Sequence, residues 1–293
     1  MPVIQDSIKT PRIRRSIALT LWWTWLLSSL LLIGVSGALI FQPRLAQQLW
    51  PWPLAPFNTG FFGIVYLSAA IPLISYVIRP ESHRLKLILP IFTCFTTYFF
   101  LFSLIHQDSF LSRRATDIWF FLYGADSFIG LLCLWRCRAA LWPSASLELK
   151  WSALYRIQAM ILGGYSLANL VLPQILGQFW SWPLDVFHSH LYAGVFLSGA
   201  VAMIFLSRSS CRWSRIFFAS AQSLLGLGVA LSTWLLDAQM QKLDWSSLHP
   251  GLWQVIFLVF GAVGLVMIYL DLKTPFLEHQ PEEKSSRQIH SEL

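Results

Sequence analysis

The sequence predicts an all-α, polytopic integral membrane protein with about eight transmembrane helices, arranged as two parallel four-helix repeats. The first observation is compositional: 56% of the residues are hydrophobic and only 12% are charged, against about 25% charged residues in a typical soluble domain. The second is that the apolar residues gather into continuous runs of the ~17–25 residues that a membrane-spanning helix needs. Charge is scarce in such a chain because an ionised side chain at the bilayer centre costs roughly 2.5–3.5 kcal/mol.

An internal repeat is the third observation. Residues 34–70 recur without a gap 130 positions later, as residues 164–200. The repeat includes a tryptophan–proline motif, which reads Gln48-Leu-Trp-Pro-Trp-Pro-Leu54 in the first half and Gln178-Phe-Trp-Ser-Trp-Pro-Leu184 in the second. Because each half holds an even number of predicted spans, the two halves are expected to be parallel, related by an axis along the membrane normal.

The apolar runs define the helices and the domains in order. A basic N-terminus (1–15) precedes the first four-helix repeat (16–135), a linker (136–153) leads to the second repeat (154–272), and residues 273–293 are expected to form a solvated tail. The first run is too long for the apolar part of a signal peptide, so we interpret it as a retained helix. The predicted spans are 16–41, 60–78, 87–105, 118–135, 154–172, 188–206, 215–236 and 252–270.

The basic residues predict the orientation. Seventeen of the 21 lysines and arginines fall in segments on the N-terminal side, and four fall on the other side. Basic loops stay in the cytoplasm, so both termini are expected there and the tryptophan–proline motifs are expected to face outward. The net charge of +7 is therefore interpreted as an orientation signal. The lipid bilayer is the expected partner, and nucleic acid is not.

The tryptophan–proline motif has two interpretations. Tryptophans suit an interfacial anchor, because the indole body is apolar and its N–H prefers the wet headgroup region. Alternatively, the motifs of the two halves meet and line a ligand site, since paired, proline-interrupted segments in corresponding positions indicate binding sites in transporters. The candidate residues are Trp50, Trp52, Trp180 and Trp182.

The two halves differ just after the motif. The second half has Asp185, His188 and His190 where the first has Ala55, Asn58 and Gly60. Carboxylate and imidazole groups bind borderline metals, but this spacing falls short of a full ligand set, and we predict no metal site. The other interpretations are a wet interfacial loop and a role in contacting a ligand or a proton.

Asp126 is the acidic residue that lies deep inside an apolar run. Intramembrane acids usually face the interior of a helix bundle and often serve function. One interpretation is a hydrogen-bonded side chain that holds the fourth helix against a neighbour, and the other is coupling to an ion or contact with a substrate. Aligning Tyr123-Gly-Ala-Asp126 with Phe260-Gly-Ala-Val263 gives Val263 as its counterpart in the last helix.

The Trp-Pro-Trp-x-Leu-x-Pro stretch from Trp50 to Pro56 resembles a motif in multi-pass membrane proteins of unknown function from actinobacteria and cyanobacteria. The resemblance implies a bacterial membrane protein, in the plasma membrane or the thylakoid, and no activity. Nucleotide-binding, metalloprotease and serine-hydrolase motifs are absent from the sequence, so an enzyme is the least supported class and no cofactor is predicted. A small-molecule or ion transporter is favoured; the alternative is a membrane scaffold or assembly factor that binds lipid, pigment or other subunits.

Overall fold

The computed structural model describes residues 15–141, 149–209 and 211–273, and every regular element in these ranges is helical. The predicted all-α class is confirmed. The predicted tail, apart from Lys273, and the N-terminal segment before Arg15 lie outside the described residues. The helices are α1 (Arg15–Phe41), α2 (Pro43–Leu49), α3 (Pro56–Ile78), α4 (Ser82–Ile105), α5 (Arg114–Leu141), α6 (Leu149–Val171), α7 (Pro173–Phe179), α8 (Val186–Leu206), α9 (Arg212–Met240) and α10 (Leu248–Lys273).

Seven of the described helices are individually long and apolar enough to cross a membrane: α1, α3, α4, α5, α8, α9 and α10. An eighth span is obtained when α6 is joined to α7, from which it is bent by 116°. The prediction of about eight transmembrane helices agrees with this count. The chain is therefore a multi-pass integral membrane protein.

Two prolines produce the short helices α2 and α7. Pro43 and Pro173 each follow a single non-helical residue and occupy the first turn of the next helix. Proline cannot continue the preceding hydrogen-bond ladder, but it fits a first turn, where its missing N–H has no intrahelical partner to lose. The bends place both tryptophan–proline motifs at one end of the bundle, which we call the motif end.

The helices that follow the motifs begin earlier than predicted. The expected spans 60–78 and 188–206 correspond to α3 and α8, which start at Pro56 and Val186. Pro56 fits the first turn of α3, and Asp185 caps α8 with its side chain. Neither helix is interrupted near its start, and α3, at 23 residues, is of ordinary length for a membrane span.

The main helix contacts form two rows. One row is α1–α3–α9–α10 and the other is α6–α8–α4–α5. Each row therefore takes two helices from each half of the chain, with α3 packed on α9 and α4 packed on α8. Exchanging the halves, so that α1 takes the place of α6 and α3 that of α8, turns one row into the other.

Two hydrogen bonds show the register within each row. The hydroxyl of Ser36 donates to the carbonyl oxygen of Gly63 at 2.7 Å, and the hydroxyl of Ser166 donates to the carbonyl oxygen of Ala193 at 2.8 Å. The two donors, Ser36 and Ser166, are 130 positions apart, and so are the two acceptors, Gly63 and Ala193. The contact of α1 with α3 thus has the same register as the contact of α6 with α8.

Candidate functional site

The four motif tryptophans are buried together. Trp50, Trp52, Trp180 and Trp182 expose at most 8% of their surface. The rings of Trp50 and Trp52 meet edge to face with centroids 5.3 Å apart, and those of Trp180 and Trp182 do so at 5.6 Å. We call the surrounding core the aromatic cluster; its other large rings include Phe57, Phe61, Phe62, Phe99, Trp119, Phe187, Tyr192, Trp253 and Phe257. Such burial does not fit interfacial anchors, whose indole N–H groups would reach water.

The motifs of the two halves meet in this cluster. Trp182 stacks on Phe57 of the first half with ring centroids 5.3 Å apart. Trp52 meets Phe187 of the second half edge to face, also with ring centroids 5.3 Å apart. Phe57 and Phe187 occupy corresponding positions in the repeat. The second tryptophan of each motif therefore packs on the start of the helix that follows the other motif.

Hydrogen bonding in the cluster differs between the halves. Asn58 Oδ1 accepts hydrogen bonds from Trp182 Nε1 and from the hydroxyl of Tyr192, both at 2.7 Å. The repeat places His188 where the first half has Asn58. Among the described residues, neither Trp52 Nε1 nor His188 Nε2 has a hydrogen-bond partner, although both atoms are buried. The substitution of one polar side chain thus leaves a donor and an acceptor unpaired in one half.

Asp185 and His188 form a local pair at the start of α8. The Asp185 carboxylate accepts from the backbone N–H of His188 at 2.7 Å and contacts the ring Nδ1 at 2.8 Å. The first contact caps the helix, and the second favours the tautomer with the proton on Nδ1. Burial alone would raise the pKa of Asp185, but the hydrogen bonds and charge of His188 outweigh burial and lower this pKa below its ordinary value.

His190 belongs to a different pair. Its Nδ1 lies 2.8 Å from Nε2 of His106, which follows α4. Burial lowers the pKa of His106 below its ordinary value. The charge of Asp185 acts in the opposite direction but has a smaller effect. Residues two apart on a helix point about 200° away from each other, so His188 and His190 cannot share a ligand. Within the described ranges, no three histidine, cysteine or acidic side chains are grouped to hold a metal ion.

A central cavity of about 230 Å³ lies where the aromatic cluster meets the second hydrophobic core at the opposite end of the bundle. Residues from α1, α3, α4, α5, α6, α8, α9 and α10 line it. Many of them form pairs whose members lie 130 positions apart, the same offset at which residues 34–70 recur: Leu32 and Leu162, Val65 and Val195, Ser68 and Ser198, Leu73 and Met203, Ile88 and Phe218, Phe92 and Gln222, and Phe95 and Leu225. Corresponding segments of both halves therefore build one shared space.

Asp126 lines this cavity, and the motif tryptophans do not. Among the described residues, no side chain forms a hydrogen bond or an ion pair with its carboxyl group. Sequence reasoning named Asp126 as one candidate site residue together with Asp185, His188 and His190, and the structure separates it from those three, which lie at the motif end. The two groups of candidates do not form a single site.

The counterpart of Asp126 is Phe260 and not Val263. Trp119 of α5 packs on Trp50 with ring centroids 6.1 Å apart, and Trp253 of α10 packs on Trp180 with ring centroids 4.1 Å apart. If Trp119 corresponds to Trp253, then α5 and α10 are offset by 134 positions. The first residues of the two helices, Arg114 and Leu248, are also 134 positions apart. The sequence alignment was wrong because it matched a Gly-Ala pair, whereas packing against the tryptophans sets the register. Phe260 lines the cavity as well.

Two lining residues have buried oxygen atoms that lack partners. The hydroxyl of Ser68 and Oε1 of Gln222 form no hydrogen bond with any described residue. Gln222 uses its amide nitrogen to donate to the carbonyl oxygen of Phe260 at 2.9 Å. Sequence reasoning missed Ser68 and Asn58. The available signal was their position in the repeat, opposite Ser198 and His188.

No family model, curated protein sequence or solved structure matches this chain.

Proposed function

We propose that this protein carries a small molecule across a bacterial membrane and binds it in the central cavity. The observation that carries the proposal is that corresponding residues of both halves line one cavity, which also contains the carboxyl group of Asp126, unpaired among the described residues. Carriers with parallel repeats bind their substrates near the bilayer midplane, at the interface between the repeats. An intramembrane acid facing such a cavity is a functional candidate for the same reason.

The proposed mechanism is alternating access. The two halves would be related by a rotation of about 180° around the membrane normal, and rocking of the rows would open the cavity first to one side and then to the other. In this mechanism the aromatic cluster, whose large rings are buried at the motif end, would form the closed side of the cavity. The basic-residue asymmetry supports an orientation with the motif end outside the cell and both termini in the cytoplasm.

Cysteine accessibility tests this function without knowledge of the substrate. In a chain whose four native cysteines are replaced, Ser198→Cys places a thiol in the cavity. A carrier visits both open states, so a membrane-impermeant thiol reagent should label this cysteine in right-side-out vesicles and in inverted vesicles. Labelling from one side only, or from neither, would contradict transport.

Three matched variants control the experiment. Ser36→Cys lies on α1 in a buried contact with Gly63 that does not line the cavity, and it should stay unlabelled from both sides. Gln178→Cys at the motif end should be labelled only from outside, and Ser209→Cys at the opposite end only from inside. If Gln178→Cys were labelled only from inside and Ser209→Cys only from outside, the orientation would be wrong. The labelling of Ser198→Cys from both sides would still test transport.

A membrane scaffold is the second candidate, and a surface groove supports it. The groove, of about 360 Å³, lies at the lipid-facing contact of α9 with α10. Its lining includes Trp234 and Trp245, which are 60% and 46% exposed. Flat aromatic surfaces of this kind suit a lipid chain, a pigment or another subunit. A bound pigment or lipid that is lost from the Trp234→Ala variant, together with an unlabelled Ser198→Cys variant, would favour the scaffold.

A further inference from the structure

We propose that the central cavity binds a small protonated amine and that Asp126 is its counter-ion. The proposal rests on the proposed function, because it takes the cavity to be the substrate site. It names a substrate class, an apolar body with one ammonium group, from the charge, the unpaired oxygen atoms and the size of the cavity.

The charge of the cavity selects a cation. Asp126 is the one charged residue in its described lining, which includes no lysine, arginine or histidine. An ionised carboxylate in apolar surroundings is costly unless a positive group pairs with it, and no described side chain supplies that group. An anionic ligand would meet no positive charge in the cavity and would be repelled by Asp126.

The unpaired oxygen atoms select an ammonium group with N–H donors. Ser68 and Gln222 are more than nine-tenths buried, line the cavity and have oxygen atoms that form no hydrogen bond within the described part of the chain. An unsatisfied buried acceptor is unfavourable, and a donor that reaches it relieves the cost. A protonated amine carries up to three such donors, whereas a quaternary ammonium ion carries none.

The remaining lining and the volume select the apolar body. Rings such as Phe92, Phe218 and Phe260 face the cavity and attract cations as well as apolar groups. A dry cavity of about 150 Å³ in another protein holds one benzene molecule, so about 230 Å³ accommodates a single ring with a short chain. An arylalkylamine such as 3-phenylpropylamine is of this size.

The test compares three near-isosteric probes on the full-length protein in lipid nanodiscs. Isothermal titration calorimetry at pH 7 measures the dissociation constants of 3-phenylpropylammonium, neutral 3-phenylpropanol and anionic 3-phenylpropionate. The ammonium ion should bind most tightly, the alcohol more weakly and the carboxylate not at all. Asp126→Asn should weaken ammonium binding by roughly tenfold or more, since a hydrogen bond to a charged group is lost, and should leave alcohol binding unchanged.

Three further variants keep the test decisive. Asp117→Asn removes the same charge from an exposed position on the same helix, outside the cavity, and should change no affinity. Asp126→Glu keeps the charge and should retain ammonium binding. If Asp126→Asn does not yield folded protein, the double variant Ser68→Ala with Gln222→Leu should weaken ammonium binding several-fold relative to the alcohol.

The outcomes separate this inference from the proposed function. Equal ammonium affinities in Asp126→Asn and the parent protein, tighter binding of the carboxylate, or absence of ammonium binding would each overturn the amine proposal. None of these results bears on whether Ser198→Cys is labelled from both sides. Labelling from one side alone, with Asp126-dependent ammonium binding, would instead leave an amine-binding membrane protein that does not transport.

Discussion

Asn58 Oδ1 accepts a hydrogen bond from Trp182 Nε1 across 2.7 Å, and this bond joins the first helix after one motif to the second tryptophan of the other. The same oxygen accepts from Tyr192. One buried amide of the first half therefore fixes two aromatic side chains of the second half. The aromatic cluster is held by this polar contact as well as by ring packing.

Asn58→Leu should destabilise the protein. The change leaves the Trp182 N–H and the Tyr192 O–H buried without an acceptor, at about 1–3 kcal/mol for each group. Reversible unfolding in detergent micelles, driven by added denaturant, measures the loss of unfolding free energy. Trp182→Phe removes one donor and should cost less. In the double variant the effects should be clearly less than additive, and strict additivity would contradict a direct interaction.

The fold class was predictable from the sequence, but the role of the tryptophans was not. Lipid imposes long apolar helices, so the hydropathy of the chain identifies most spans directly. A tryptophan near a helix end suits a headgroup layer and a buried cluster equally well by composition. The contacts of Trp52 and Trp182 with Phe187 and Phe57 decide between them, and these contacts join residues that are far apart in the chain.

The candidate site was predictable in part for the same reason. Asp126 stands out as an acid within an apolar run, whereas the cavity around it depends on how eight helices pack. Asn58 is an ordinary amide in the sequence, and its importance depends on a tryptophan 124 positions away. The pairing of His190 with His106, 84 positions apart, likewise needed the contact of α8 with α4.

Breaking the buried ion pair between Arg215 and Asp271, at the opposite end of the bundle, should destabilise the protein. Arg215 Nη2 lies 2.6 Å from an Asp271 oxygen, and Nε adds contacts at 3.1 and 3.2 Å. Asp271→Ala removes the carboxylate that pairs with the buried guanidinium, so it should cost up to about 3–5 kcal/mol of unfolding free energy. The double variant Arg215→Met with Asp271→Leu should recover much of this loss. A single variant as stable as the parent protein would show that the pair contributes little.

Cys211 should react with alkylating reagents at neutral pH. Burial would raise the pKa of its thiol, but hydrogen bonds from His83 and Ser214 outweigh burial and lower the pKa to about 7. The thiolate is the nucleophile, so the iodoacetamide rate should rise steeply between about pH 6 and pH 8. A variant that keeps Cys211 as its one cysteine allows the measurement. His83→Leu should move the midpoint upward, and an unmoved midpoint would contradict the His83 contact.

Asp185 should stabilise the protein by capping α8, and the charge-dependent part of this stabilisation should be present only above acidic pH. Asp185→Ala removes the cap and should cost about 1 kcal/mol, while Asp185→Asn keeps a capping oxygen and should cost less. Because folding lowers the pKa of Asp185, its charge-dependent contribution is present above the ordinary aspartate value of about 4. It is lost as the pH falls through the lower folded-state value. Unfolding curves of the parent and the Asn variant should therefore converge on acidification, and a gap that widens would contradict the assignment.

Alternating access itself is tested most directly by distances between spin labels at corresponding positions of the two halves. One pair, at Gln48 and Gln178, reports on the motif end, and a second, at Arg79 and Ser209, reports on the opposite end. Double electron–electron resonance in nanodiscs should give two distance populations for each pair, and the state that is wide at one end should be narrow at the other. Ser198→Trp, which fills the cavity, should reduce each pair to one population. A single narrow distribution at both ends in the parent protein, unchanged by Ser198→Trp, would contradict the carrier mechanism.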